Sequence, residues 1–262
     1  MITKTELDKL VEKYETVDFI KNDPIQFCHS FIKKEEIELA GFIASLFAYG
    51  NRKIFIKKLD EIFSKAEGDL LGFVKNGDFT SLKGVEYRFS KENDIIPIFE
   101  ILSKLYNESR GLEELFEYGW LTPHPSPLLK ERGETFLQTV VDYFYSQTPK
   151  TAGQGFYHMI PNPQNGGAMK RMNMFLRWMV RKNSPVDKGF WTWYPKEKLI
   201  IPLDTHVLQQ SKKLGIIPEK ANATRKTALV ITEVLTSIFP GDPVKGDFAL
   251  FGLGVNSFQQ KI

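Results

Sequence analysis

Cysteine is nearly absent: Cys28 stands alone in 262 residues. One thiol forms no internal disulfide and supplies neither the four thiolates of an iron–sulfur cluster nor a cysteine-type zinc site. A reducing, cytoplasmic setting is expected. Long apolar runs are missing too. The longest, around Leu39 to Tyr49, is too short to span a bilayer, and the charged opening MITKTELDKLVEKYE has no signal-peptide core. No membrane association is expected. Period-two alternation never lasts long enough to build a sheet, and no fixed repeat or low-complexity tract occurs. The four histidines are scattered. His124 and His158 sit near turns without a second ligand at i+3 or i+4, and His29 falls on an early helix. Neither a metal nor another cofactor is expected.

What the chain does have is helix signal. Thr3 and Glu6 make a capping-box pattern opening a helix to about Tyr14, and Asp23-Pro24 is an N-cap and N1 pair. Ile37, Leu39, Ala40, Ile43, Ala44, Leu46 and Phe47 recur at helical intervals and predict a central buried helix over 35–49. Helices are also predicted after Gly50-Asn51, over 94–106, over 112–116 and over 131–145, with a proline-rich break, LTPHPSPLL, before the last. Short helices fill 68–90. The fold class is therefore all-α, with 42% hydrophobic and 26% charged residues enough for a sizeable core.

Charge is unevenly placed. Residues 1–150 carry 20 Lys/Arg against 25 Asp/Glu, and residues 151–262 carry 15 against 7, so the net +3 hides a strongly basic second part. An anionic partner suits that asymmetry, as does a solvated basic face with none. Within the basic part, Asn162, Pro163, Asn165, Gly166 and Gly167 form a turn of small residues before a helix spanning about 168–182. Backbone amides of such a turn can hold a phosphate. The helix carries Lys170, Arg171, Arg177, Arg181 and Lys182 and no acid. Lys170, Arg177 and Arg181 project onto one stripe, and Met172, Phe175, Leu176 and Met179 onto the other side. A cationic face for a polyanion is the expectation. Trp191 and Trp193 follow in the loop GFWTWY. They suit stacking on an unpaired base and equally suit core packing. Asp204 then opens a helix through Leu214. It is a natural N-cap, and Thr205 and His206 follow with amides available to a phosphate. Near the C-terminus Asp242-Pro243 opens a closing helix, and Asp247 reads as a cap or salt-bridge partner.

The segment PLDTHVLQQSKKLGI resembles the Pro-x-Asp-Thr-His-Val…Leu-Gly segment of the helix-hairpin-helix Gly/Pro/Asp DNA glycosylases, the superfamily that includes endonuclease III. Lys170 stands where that superfamily's lyase members carry a lysine. Its spacing of 34 residues to Asp204 is similar to that of the archaeal 8-oxoguanine DNA glycosylases. The chain also looks like an uncharacterised bacterial family marked by KR-x-N-x-FLRWMVR, D-x-GFW, IPLDTHV and DPVKGDFALFGLG. The hairpin turn departs from the glycosylase pattern, reading IPNPQNGG where a hydrophobic-Pro pair and Gly-x-Gly stand in the superfamily.

The resemblance implies a single all-α unit over 1–262 with a cleft between two approximate lobes. One lobe, 31–195, would hold the hairpin and the basic helix; the other, 1–30 plus 196–262, would carry Asp204. It implies a DNA glycosylase and abasic-site lyase acting as a monomer on an oxidised purine or other damaged base. Lys170 would be the nucleophile and Asp204 the catalytic carboxylate. Arg171 and Arg177 would lower the lysine's pKa by like-charge repulsion. Asn165, Gly166, Gly167, Arg171, Arg177, Arg181, Thr205 and His206 would touch DNA, and Trp191 and Trp193 would line the base pocket. A non-catalytic nucleic-acid-binding protein using the helix 168–182 is the alternative from another class.

Overall fold

A computed structural model describes residues 2–108, 110–122, 125 and 135–259. Pro123, His124 and Pro127 of the proline-rich break lie outside them. Every regular element among the described residues is helical, and two isolated bridges, Tyr87 with Ser90 and Gly167 with Thr224, are the β-type pairings there. Two compact units result, residues 1–22 with 166–262 and residues 23–165. No described helix is long and apolar enough to cross a membrane.

The chain opens with α1 (Lys4–Tyr14) and α2 (Val17–Ile20). The expected capping box is present: Thr3 Oγ1 accepts the Glu6 N–H, and the Glu6 carboxylate accepts the Thr3 N–H at 2.8 Å. Leu7 and Val11 are the buried residues of α1, one turn apart on one face.

The contiguous unit 23–165 starts where Asp23 caps a 3₁₀ helix, Pro24–His29. α3 (Lys34–Phe47) follows, and every residue from Glu36 to Phe47 is buried, as its all-round apolar pattern predicts. Asn51 caps α4 (Arg52–Ser64) by accepting the Ile54 N–H. α5 (Leu70–Asn76), α6 (Glu92–Asn107), α7 (Leu112–Leu121), α8 (Thr135–Gln147) and α9 (Gln154–Met159) complete the unit. Phe42 of α3 stacks on Phe144 of α8 at 5.3 Å and meets the edge of Phe116 of α7. Each such buried ring contributes about 1.5–3 kcal/mol.

In the other unit stand α10 (Lys170–Val180), α11 (Thr205–Lys213), α12 (Arg225–Ile238) and α13 (Gly246–Gln259). Their shared core joins Leu7 and Val11 to Leu203, Val207, Ile231, Leu235 and Leu250. α12 is absent from the helices read off the sequence. Its segment holds Val230, Ile231, Thr232, Val234 and Thr236, β-branched residues of modest helix propensity. The buried face of Ala228, Ile231, Thr232 and Leu235 overrides that preference.

The division falls at Asn22/Asp23 and Asn165/Gly166, not at 30/31 and 195/196. α10 therefore belongs with Asp204 and not with residues 31–165. Long-range ion pairs are the reason: arginines of α10 bond Glu15, Asp242 and Asp247, all within its own unit.

Candidate functional site

The approach to Lys170 is built from a strained turn. Asn165 ends a 3₁₀ turn, Pro163–Asn165, at the edge of the unit 23–165. Gly166 and Gly167 begin the other unit. Gly166 has φ +68, its carbonyl accepts the Arg225 N–H at 3.0 Å, and Gly167 pairs with Thr224. The turn is thus stitched to the start of α12. Met169, immediately before Lys170, has φ +50, a left-handed conformation that costs a non-glycine residue about 1–2 kcal/mol. Buried Asn173 holds it: its side-chain N–H donates to the Ala168 carbonyl at 3.1 Å, and its backbone N–H to the Met169 carbonyl at 3.0 Å. Asn173 is the Asn of KR-x-N, and its positioning role has no local signature. Lys170 and Arg171 are half-buried.

The cationic stripe expected along this helix is not a surface. Arg177 is 4% exposed and Arg181 2%. Arg177 donates from Nε to Asp187 at 3.2 Å and from Nη1 to Asp247. Arg181 donates from Nε to both oxygens of Asp242 at 2.9 and 3.0 Å, from Nη1 to Asp187 at 3.1 Å, and to Glu15. Both guanidinium groups lie over the Phe248 ring, at 4.5 and 5.5 Å from its centroid. The wheel projection was sound, but the carboxylates that meet the stripe come from outside the helix. Neither guanidinium lies at the surface, and Arg177's charge meets two carboxylates, Asp187 and Asp247. For Arg181, burial pulls the pKa down, but the bonds from Glu15 and Asp242 outweigh it and the net shift is upward.

Trp191 is likewise corrected. It is fully buried, edge-on to Phe175 at 5.2 Å, and its backbone N–H donates to the Met179 carbonyl at 2.8 Å. It belongs to the core of its unit, not to a base pocket. Trp193 is half-buried and stacks on Trp191 at 5.6 Å. Gly189, φ +64, sets the approach of this loop. A Cβ there would stand 2.8 Å from the Arg181 carbonyl oxygen and the Lys182 Cα.

Asp204 does cap its helix: Oδ1 accepts the Val207 N–H at 2.9 Å, leaving Thr205 exposed at the first helical position. His206 is half-buried against α13, edge-on to Phe251 at 5.7 Å. Gly254 permits that contact, since a Cβ on it would sit 2.6 Å from the His206 Cβ. α13 also carries Asp247, 5% exposed. Burial raises the Asp247 carboxyl to about 7 against the pull of Arg177; Asp204 and Asp187 push the same way as burial, and Lys170 opposes them. One buried carboxyl therefore senses both candidate catalytic groups. Lys170, Asp204, Asp247 and Arg177 form one electrostatic cluster. Asp247 is the member the sequence reading treated as structural; the motif DPVKGDFALFGLG marked its segment without revealing what it faces.

The unit 23–165 presents a second feature. Tyr87 and Ser90 exchange backbone hydrogen bonds of 2.8 and 3.0 Å, closing a tight turn with Arg88 at φ +57. Phe89 at its tip is 50% exposed, 5.9 Å from the Tyr49 ring and 4.5 Å from the exposed His158. EYRFS showed nothing of this, because the partners lie far along the chain. Among the described residues, no three His, Cys, Asp or Glu side chains group as a metal ion would require.

No curated protein and no solved structure matches the chain. Residues 23–256 match the family described as protein of unknown function, DUF2400. The match spans both units, from the cap of the first 3₁₀ helix to α13, and takes in Lys170, Asn173, Asp204 and Asp247. The chain belongs to the DUF2400 family of proteins of unknown function.

Proposed function

We propose that this protein is a base-excision DNA glycosylase with abasic-site lyase activity, of helix-hairpin-helix architecture, acting on a damaged base with an oxidised purine as first candidate. The observation that carries the reading is the cluster in which buried Asp247 senses Lys170 and Asp204 together. Its setting agrees with an anionic substrate: the unit holding the cluster has 19 Lys/Arg against 12 Asp/Glu, and the unit 23–165 has 16 against 20. The strained backbone before Lys170 is the kind of feature that gathers at functional sites.

In this reading the neutral Lys170 amine attacks the anomeric carbon of a nucleotide turned out of the helix. The glycosidic bond breaks, its electron pair leaves with the base, and the base takes up a proton. The sugar ring then opens as the C1′–O4′ bond breaks and O4′ takes up a proton, leaving a Schiff base; loss of a C2′ proton drives β-elimination, and the 3′ phosphate leaves with the electron pair of its bond to carbon. Asp204 stabilises the cationic sugar in the transition state, and the carboxylates of the cluster accept the lysine proton. The non-catalytic alternative rested on an exposed basic helix, and two of its three stripe cations are buried in ion pairs.

Borohydride trapping tests the reading with labelled duplexes carrying 8-oxoguanine, an abasic site, uracil or an alkylated base. Wild type gives a covalent adduct that Lys170→Ala abolishes, and Asp204→Asn lowers base release by about 10²–10⁴-fold. Salt-sensitive binding with neither adduct nor base release on any of these duplexes sinks the proposal.

A further inference from the structure

A groove of about 640 Å³ lies in the unit 1–22 with 166–262, away from the residues of the cluster described above. Its wall is one face of α1, with Glu6, Lys9, Leu10 and Lys13 at helical spacing and Ile2 just ahead of the helix, and Lys213 and Leu214 from the end of α11 close the other side. The floor is apolar. Ile2, Leu10 and Leu214 are partly buried and pack on the core of Leu7, Val11 and Val207. The rim is cationic. Lys9, Lys13 and Lys213 line it, and none of them forms a salt bridge among the described residues, whereas Lys21 pairs with Asp18 at 2.7 Å and Lys245 with Asp8 at 3.9 Å nearby.

The one acid on the rim is Glu6, so three cations face one anion there. Both the Thr3 N–H and the Thr3 hydroxyl donate to the Glu6 carboxylate, at 2.8 and 2.7 Å, and hold it in the capping box. Lys9 and Lys13 stand one turn apart and repel each other, a cost that an anionic occupant relieves. From Glu6 to Lys13 the wall runs about 10 Å along the helix. An isolated phosphate has no use for an apolar floor of that length, and a purely aliphatic ligand has no use for three ammonium groups.

We infer that this groove docks a short acidic peptide segment of a partner protein, its apolar side chains on Ile2, Leu10 and Leu214 and its carboxylates on Lys9, Lys13 and Lys213. The inference is independent of the chemistry at Lys170. A phage-displayed library of random peptides of about 12 residues, panned on the full chain, tests it. Enriched sequences should combine Asp or Glu with Leu, Ile or Phe. A fluorescein-labelled peptide made from the winner should bind at least tenfold more weakly to Lys9→Gln/Lys13→Gln/Lys213→Gln, whose melting curve should match wild type because all three side chains are at the surface.

Enrichment without acidic bias, or equal binding to the triple variant, overturns the inference. So does polyglutamate binding as tightly as the winner, which would reduce the groove to simple charge. Self-association of the wild type that the triple variant loses would assign the face to a second copy of the chain. Loss of binding to phosphatidylglycerol vesicles, with no peptide enriched, would assign it to a lipid surface. Either of these also refutes the peptide.

Discussion

Replacing Arg181 with Met keeps the aliphatic stem and removes the guanidinium from the centre of three carboxylates. Arg181 is 2% exposed and bonds Glu15, Asp187 and Asp242 at once. Without it, fully buried Asp187 keeps Arg177 alone, and Glu15 and Asp242 lose a partner they share. Breaking a buried pair by removing one member costs about 3–5 kcal/mol, because the remaining charge stays desolvated. For a chain of this size each kcal/mol moves the melting temperature by about 2–4 °C, so Arg181→Met should melt about 10 °C lower. Urea denaturation followed by circular dichroism reads the loss directly. The same variant, kept below its transition, should retain the wild-type salt dependence of DNA binding. A phosphate contact would behave in the opposite way. If Arg181→Met is as stable as wild type and the slope of log K against log salt falls by about 0.9, the arginine touches DNA and the buried network is wrong.

Asp247 makes stability depend on pH. Its carboxyl is raised to about 7 from an ordinary 3.8, so the folded chain binds that proton more tightly than the unfolded chain. The stabilisation is whole below the ordinary value and is lost as pH climbs through about 7, by up to about 4 kcal/mol over the window. Asp247→Asn should flatten this dependence in urea titrations run across the same range; an unchanged slope would place the titrating group elsewhere. Gly189→Ala should lose about 1–3 kcal/mol, measured by thermal melting, because φ +64 is strained for alanine and its Cβ would meet the Arg181 carbonyl. Trp191→Ala should cost about 3–5 kcal/mol and abolish cooperative unfolding near physiological temperature, whereas a base-pocket role would spare stability and lower only base release. Gly254→Ala should press on His206 and shift α11 from α13, reducing trapping at Lys170 more than it reduces DNA affinity in a filter-binding assay.

Helices with a strong local signature were legible in the sequence. Thr3, Asp23 and Asp204 act as the N-caps their chemistry suits, and the density of apolar residues over 35–49 foretold the burial of α3. The periodicity of α10 was legible too, but what its polar face meets was not. Whether a row of arginines faces water or carboxylates depends on Glu15, Asp187, Asp242 and Asp247, and three of these four lie 61 to 166 residues away along the chain. A propensity argument sees a single segment; it cannot count charges brought by others. The same holds for Trp191, whose neighbour Phe175 is on α10, and for the Tyr49, Phe89 and His158 rings. α12 was hidden for the reverse reason, since its β-branched residues weaken the local signal that tertiary burial then overrides.

The unit that holds Lys170 and Asp204 is assembled from two pieces of chain, 1–22 and 166–262, with the whole of 23–165 between them. During synthesis α1 leaves the ribosome long before its packing partner α13 exists, and Glu15 waits 166 residues for Arg181. The contiguous 23–165 can complete its own contacts in the interval, whereas the discontinuous unit must close a loop of that length at the end. Its apolar α1 face, Leu7 and Val11, stays uncovered until then. Connectivity thus lets 23–165 close before the unit that it interrupts, and truncation anywhere before α13 leaves the α1 face without its cover.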